Sequence, residues 1–507
     1  MLVFRIVTTW LVVLMVSQVA VSAKPNVVFI LTDDQAYHTM KCWGGDVYTP
    51  HIDSLASEGM RFTNAFTATT VCAPSRYGFL TGTYAGRCAH ADVLAVYPRG
   101  TINRISNLPM VLEDDKPDIA RLLKGAGYVT GMVGKWHLGP THIEDVNQWA
   151  KYGLKRYPPD ADPYHPEMAK KLRFNQKQLC KFIKKQAGFD YVASAYIANS
   201  KELHCRALDV HNPEWVIKSA VDFIEHNRKK PFFLYVAPTL HHGPHPSRSL
   251  DVDPRLTGEG IVDYHLNLMP PRSGIKERVK AVGVDPKMAY CTWLDDSVGA
   301  ILKKLDRFGI AENTIVIYTT DHGLEFKSSL YDRGGVRIPM MIRWKGTIKA
   351  GQNCSIPVQN IDLVPTLLDV CGVEVPARVK FDGRSFKRIL LGEGKPIHDS
   401  LYFEIGYARA VQVENWKYIA VRIPGKMEAR AERRGNKIYY ISNNHLGKNA
   451  AKHPNYFDTD QLYDLSKDPG ELYNLASDHR YADKLKEMKQ HLRRYLDTFP
   501  DRPFPIK

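Results

Sequence analysis

The sequence predicts an α/β fold with a mostly parallel central sheet and a smaller C-terminal antiparallel-sheet domain. Three observations carry this. Short apolar runs stop abruptly at polar clusters, helical patterns lie between the runs, and beyond residue 395 the runs shorten. Continuous apolar strands are buried on both faces, as in a sheet covered by helices. Strands alternating with helices give a parallel sheet.

Taken in order, residues 1–23 carry one basic residue, Arg5, then a mostly apolar stretch. The stretch closes on Val19-Ala20-Val21-Ser22-Ala23 before Lys24-Pro25, which reads as a cleaved signal peptide. A secreted or periplasmic protein is therefore expected. No later segment is apolar enough to span a bilayer, so no stable membrane insertion is expected after cleavage. The main domain is placed at 24–395 and the small domain at 396–507.

The first strand, 26–31, ends in Thr32-Asp33-Asp34. The run 128–133 ends in Gly134-Lys135-Trp136-His137, and 231–236 ends near His241-His242. The run 314–319 ends in Thr320-Asp321-His322, and 339–342 is a further strand. Helical patterns occupy 118–125, 214–226 and 289–308. In such sheets ligands sit beyond the carboxyl ends of the strands, where these polar clusters fall. Residues 147–205 lack a strand period and read as an insertion or lid. In the small domain 401–404, 409–413 and 417–421 read as antiparallel strands, 425–452 as a polar, basic loop, and 482–499 as an amphipathic helix.

Composition narrows the partners. Lys and Arg number 69 against 54 Asp and Glu, giving +15. Such a surface attracts anions: nucleic acid, anionic lipid or sulfated glycan. No basic run interleaves with aromatics and no zinc-finger spacing occurs, so no nucleic-acid partner is expected. The eight cysteines could pair after export, in a pattern the sequence does not give.

The segment Cys72-Ala73-Pro74-Ser75-Arg76, followed by Leu80-Thr81-Gly82, resembles the C-x-P-S-R signature of type I sulfatases. Asp33-Asp34 and Asp321-His322-Gly323 resemble that family's two metal pairs, and Gly134-Lys135-Trp136-His137-Leu138-Gly139 its G-K-W-H-L-G. Lys327 with Tyr331-Asp332-Arg333-Gly334 resembles K-x-x-x-Y-E-x-G, with Asp in place of Glu. The tail Leu462-Tyr463-Asp464-Leu465 and Asp468-Pro469-Gly470-Glu471 resembles the closing motif. The resemblance implies an alkaline-phosphatase-like sandwich and a catalytic domain over 24–395. It implies a formylglycine made from Cys72 by a maturation enzyme, and one divalent metal.

The implied ligands are Asp33, Asp34, Asp321, His322 and an oxygen of residue 72. Carboxylates suit calcium, which is the expected ion, although the His322 nitrogen suits a transition metal better. The implied reaction is hydrolysis of a sulfate ester to alcohol and inorganic sulfate. A formylglycine hydrate has two hydroxyls: one attacks sulfur, the other is later deprotonated to expel sulfate. Arg76, one turn after Cys72, would hold the nucleophile and ligands. Lys135 and Lys327 would bind sulfate oxygens, and His137 would act as base. His242 fits the family's H-x-P spacing for the acid, with His241 and His245 as alternatives. A zinc pair of His241 and His245 would need a helix, which Gly243-Pro244 opposes. The expected substrate is a sulfated carbohydrate or other sulfate ester. The rival readings are a phosphate or phosphonate ester hydrolase of the same superfamily, and a non-catalytic binder of anionic glycans should Cys72 stay a thiol.

Overall fold

Successive side chains of a strand point to opposite faces, and the first strand uses both. In β1 (Asn26–Thr32) all seven residues are buried. Val27, Phe29 and Leu31 enter one apolar core, and Val28 and Ile30 the other. The first core holds Ala73, Tyr77, Phe79 and Leu80 of the helix Cys72–Thr81. The second holds the helices Pro213–Asn227 and Ala289–Arg307. The sheet is thus the middle layer of a sandwich.

The computed structural model describes residues 24–107, 109–139, 146–433 and 452–506. After β1 the chain forms β2 (Met60–Phe66), β3 (Val129–Lys135), β4 (Tyr191–Tyr196) and β5 (Phe232–Ala237). A minimal hairpin of β6 (Leu256–Thr257) and β7 (Gly260–Ile261) follows. β8 (Thr314–Thr320), β9 (Arg337–Arg343), β10 (Gln352–Cys354) and β11 (Val358–Gln359) complete the large sheet. Its order is β10-β2-β9-β8-β1-β5-β3-β4, with β11 also on β2. Every neighbouring pair is parallel except those made by β9, which runs against both β8 and β2. The carboxyl ends of β1, β3, β5 and β8 therefore share one edge.

Helix boundaries follow the capping residues. Pro213 starts its helix while the Asn212 side chain accepts from the Trp215 N–H at 3.0 Å. The helix Pro166–Ala187 also starts on proline and stops at Gly188, whose φ of +74° suits a residue without Cβ.

The stretch 147–205, read as an insertion or lid without a strand period, does contain a strand. It holds that 22-residue helix and the edge strand β4. Lysines mask the apolar face of the helix, and Tyr-Val-Ala-Ser-Ala-Tyr has one β-branched residue. β2 also went unpredicted, because Arg61, Thr63 and Asn64 interrupt its apolar positions and its pairing shifts register between Phe62 and Ala65.

A separate antiparallel sheet is built from β12 (Leu401–Ile405), β13 (Ala408–Val413), β14 (Trp416–Val421) and β15 (Asp460–Asp464). The three predicted strands are present, and the closing motif supplies the fourth. Met488 and Leu492 of the helix Ala482–Leu496 pack against Tyr418 and Leu462. Within the predicted loop 425–452, Gly425–Glu432 is helical and 434–451 lie outside the described residues, as does the predicted signal peptide. All eight cysteines are free thiols.

Candidate active site

Thr32 pairs with Thr320 at the ends of β1 and β8, which sets Asp33-Asp34 beside Asp321-His322. β3 ends at Lys135, and its continuation carries His137. β5 leads into His241-His242. The helix Cys72–Thr81 faces this edge with its N-terminal end, and all ten of its residues are buried. The positive end of a helix favours anions and nucleophiles placed at its first turn.

Arg76 lies one turn after Cys72 and is fully buried. It donates to Asp321 Oδ2 through Nε and Nη2 at 3.3 and 3.1 Å, and its Nη2 is 3.5 Å from Asp33 Oδ1. Its other nitrogen donates to the Tyr235 hydroxyl at 3.1 Å. Lys135 Nζ donates to Asp33 Oδ2 at 2.7 Å. Lys327 Nζ donates to both Asp34 oxygens at 2.8 Å and is 3.7 Å from Cys72 Sγ. Both lysines, expected on the substrate, are thus held by carboxylates.

Burial opposes ionisation of these acids, and the cations override it. Lys135, His242 and Arg76 hold Asp33 well below the usual carboxylate range despite its complete burial. Lys327 and His322 likewise bring Asp34 down to about 2. Burial pushes the Cys72 thiol well up, against the pull of Lys135 and Lys327. Burial, with Lys135 and Arg76 nearby, keeps His137 well below the usual imidazole range. Burial also lowers His322.

Asp34, Cys72, Asp321 and His322 each present a ligand atom, all within 4.8 Å of one another. His322 Nε2 is 3.1 Å from Asp34 Oδ1 and 3.3 Å from Cys72 Sγ, while its Nδ1 is 2.9 Å from the Gly323 carbonyl. Asp33 Oδ1 is buried and accepts no hydrogen bond. An unsatisfied carboxylate oxygen beside two further carboxylates fits a hard divalent cation.

The three histidines of the β5 loop diverge. His242 Nε2 is 3.8 Å from Asp34 Oδ2, and its ring is 20% exposed. His241 packs edge-on against Tyr290, its ring centroid 4.8 Å away, and burial lowers it to about 3. His245 Nδ1 lies 2.7 Å from the Ser247 hydroxyl. Among the described residues these two join no ligand group. Sequence reasoning missed Tyr235, which steadies Arg76, and His211. The His211 ring lies 2.8 Å from Thr239 Oγ1 and 2.9 Å from the His242 carbonyl, bracing the loop. Tyr235 was legible only as the one polar tip inside an apolar run.

A family model, Sulfatase, matches residues 25–373. The chain belongs to the sulfatase family. Human arylsulfatase A is 30% identical over 90% of this chain and 84% of its own length. The N-acetylglucosamine-6-O-sulfatase of Bacteroides thetaiotaomicron is 24% identical over 94% of this chain and 88% of its own. A solved structure in complex with D-glucosamine-2-N,6-O-disulfate has a TM-score of 0.60 at 20% identity, covering 95% of this chain and 99% of that one. The fold is the alkaline-phosphatase-like sandwich, and the activity is that of a sulfuric ester hydrolase. Among the described residues no helix is long and apolar enough to cross a membrane.

Proposed function

We propose that this sulfatase acts on a sulfated glycan after Cys72 has been oxidised to formylglycine by a maturation enzyme. Calcium is the proposed ion, held by Asp33, Asp34, Asp321, His322 and an oxygen of residue 72. The Cys72 sulfur occupies the place of that oxygen. The observation that carries the reading is the convergence on Cys72 of three buried carboxylates, two lysines, an arginine and a histidine. A cysteine kept only for packing needs none of them.

The formylglycine supplies a hydrated aldehyde whose hydroxyl is the nucleophile, and the cation supplies Lewis acidity toward it and the sulfate. Three carboxylates oppose three permanent cations, so an added divalent ion leaves the cluster net positive for a sulfate ester. Arg76 is a positioning residue, since its donors go to Asp321, Tyr235 and the Lys135 carbonyl. Lys135 and Lys327 would bind sulfate oxygens, and Asp33 and Asp34, which hold them here, would be the residues that hold the cation. The charge the lysines neutralise grows in the transition state. His137 is kept neutral by burial and would stand as the base for the second hydroxyl of the modified residue. His242 protonates the leaving alcohol. It is partly exposed where a sugar would enter, whereas His241 lies against Tyr290.

Among the relatives, two carry N-acetylhexosamine 6-O-sulfatase names and a third is an ulvan-active sulfatase, while others are named steryl-sulfatase or arylsulfatase. The +15 charge agrees with an anionic polymer. Export through the segment 1–23 completes the proposal. Peptide mass of the Cys72 segment from the native host is the first test. An aldehyde at position 72 supports the enzyme, and an unmodified thiol sinks the mechanism.

A further inference from the structure

The helix Pro166–Ala187 spends its outer face on positive charge. Lys170, Arg173, Lys177, Lys181 and Lys184 follow one another at spacings of three, four, four and three. That spacing places all five on one stripe of an α-helix. Four of them are exposed and Lys184 is half-buried. The opposite face carries Met168, Leu172, Leu179 and Ile183, all buried. The stripe extends about 21 Å at 1.5 Å per residue.

Like charges at these spacings repel and weaken a helix, so an ordinary solvated face would mix signs. Here the one acidic residue of the helix, Glu167, is paired with Lys170 at the end. Among the described residues, no carboxylate forms an ion pair with Arg173, Lys177, Lys181 or Lys184. Beside the stripe runs a groove of about 340 Å³ lined by Lys177, Lys181, Lys184, Ser194 and Ser219. The hydroxyls of Ser194 and Ser219 are 2.7 Å apart. The groove's one acid, Glu259, is already engaged by Trp215 Nε1 and the Tyr264 hydroxyl.

The helix that carries the stripe also lies beside the catalytic edge. Gln176 and Leu179 of this helix border the same small cavity as Ile197, the residue after β4. The Ile197 carbonyl accepts the backbone N–H of His137 at 2.7 Å. Gln186 of the same helix accepts from the Trp136 indole at 2.8 Å and donates to the Leu138 carbonyl at 2.9 Å, so the helix packs along the segment that carries His137.

We propose that this stripe and its groove are a second binding site, which holds the sulfated polysaccharide chain whose end is hydrolysed at the catalytic edge. The choice of a glycan over other polyanions rests on the proposed substrate class. The positive charge along the groove supplies the matching chemistry. Binding here is electrostatic and involves no chemical step, so it falls steeply with salt.

The test uses the full-length enzyme with dextran sulfate as the polymeric probe and nitrophenyl sulfate as the small substrate. The variant Arg173→Gln/Lys177→Gln/Lys181→Gln keeps helix propensity. It should weaken dextran sulfate binding at least tenfold at low salt and flatten its salt dependence, with nitrophenyl sulfate turnover unchanged. Lys177→Glu should also weaken binding. That single change creates i,i+4 pairs with Arg173 and Lys181, so helix loss would not explain the result. Lys486→Gln/Lys489→Gln/Arg493→Gln removes the same charge from the C-terminal helix and should leave binding intact. Unchanged affinity in the first triple variant overturns the proposal. So does an equal loss in the second triple, which would mean net charge alone. Wild-type binding of a single-stranded oligonucleotide as tight as that of dextran sulfate would assign the stripe to nucleic acid instead. Failure of the catalytic reading would appear separately, as absent nitrophenyl sulfate turnover with polymer binding retained.

Discussion

Two sets of buried charges flank the segment from Lys327 to Asp332, and their acids respond to burial in opposite ways. At the catalytic edge Asp34 is brought down to about 2 by Lys327 and His322. In the small sheet Glu471, 1% exposed, is pushed up to about 7 by burial, which Lys417 offsets only in part. Lys417 Nζ is 3.1 Å from Glu471 Oε1. The other carboxylate oxygen accepts the Asp332 N–H at 2.5 Å. One region collects enough cations to keep several carboxylates ionised without water. The other supplies a single lysine, and its acid is pushed up to about 7. A cluster built to hold a cation and an anion needs the first arrangement, while a tie between strand and loop tolerates the second.

The comparison can be broken most severely at Cys72. Cys72→Ala should abolish turnover while the melting temperature stays near wild type, since the side chain removed is small. Cys72→Ser should stall as a sulfated enzyme after one turnover. Steady-state activity in the alanine variant would sink the mechanism. Asp321→Ala comes next: metal content by elemental analysis and turnover should fall together. Equal metal in variant and wild type would count against the ligand assignment.

Lys417→Met tests the other side. It should leave the kinetic constants unchanged and cost about 3 kcal/mol of stability at pH 8, because a carboxylate is left buried without its cation. The cost should shrink at pH 5. Glu471 binds its proton more tightly in the folded chain than its ordinary value of 4.5, so its contribution is full below that value. It is lost as pH rises through about 7. A pH-independent loss in chemical denaturation would contradict this account.

His242→Ala should slow a sulfated sugar about a hundredfold, or about 2.7 kcal/mol, and a nitrophenyl sulfate far less. Nitrophenolate departs without a proton. The same leaving-group dependence at His241 or His245 would move the assignment. The smallest change belongs to His322→Asn, which should keep activity with calcium, because an amide oxygen suits that ion.

The strands that carry the chemistry were the legible ones. β1, β5 and β8 are buried on both faces, so their runs are unbroken and their polar ends stand out. β2 and β4, nearer the margins, are half-buried and mix polar with apolar residues. The reversal of β9 left no trace, since Pro339-Met340-Met341-Ile342 reads alike in either direction. At the site, Asp33-Asp34, Cys72, Arg76, Lys135, Asp321, His322 and Lys327 were recognisable from their motifs, and the structure brings them together. What a motif does not encode is which partner a charged group takes. The pairing of both lysines with carboxylates, and the support from Tyr235 and His211, depend on distant strands meeting.

The burial of Cys72 bears on the order of events in the life of the chain. The residue is 1% exposed and begins a helix with no exposed position. On the proposed reading, a maturation enzyme could not close its own active site around such a side chain once the chain has folded. The proposed oxidation of Cys72 would then have to precede folding, and the active fraction of a preparation would record which one came first.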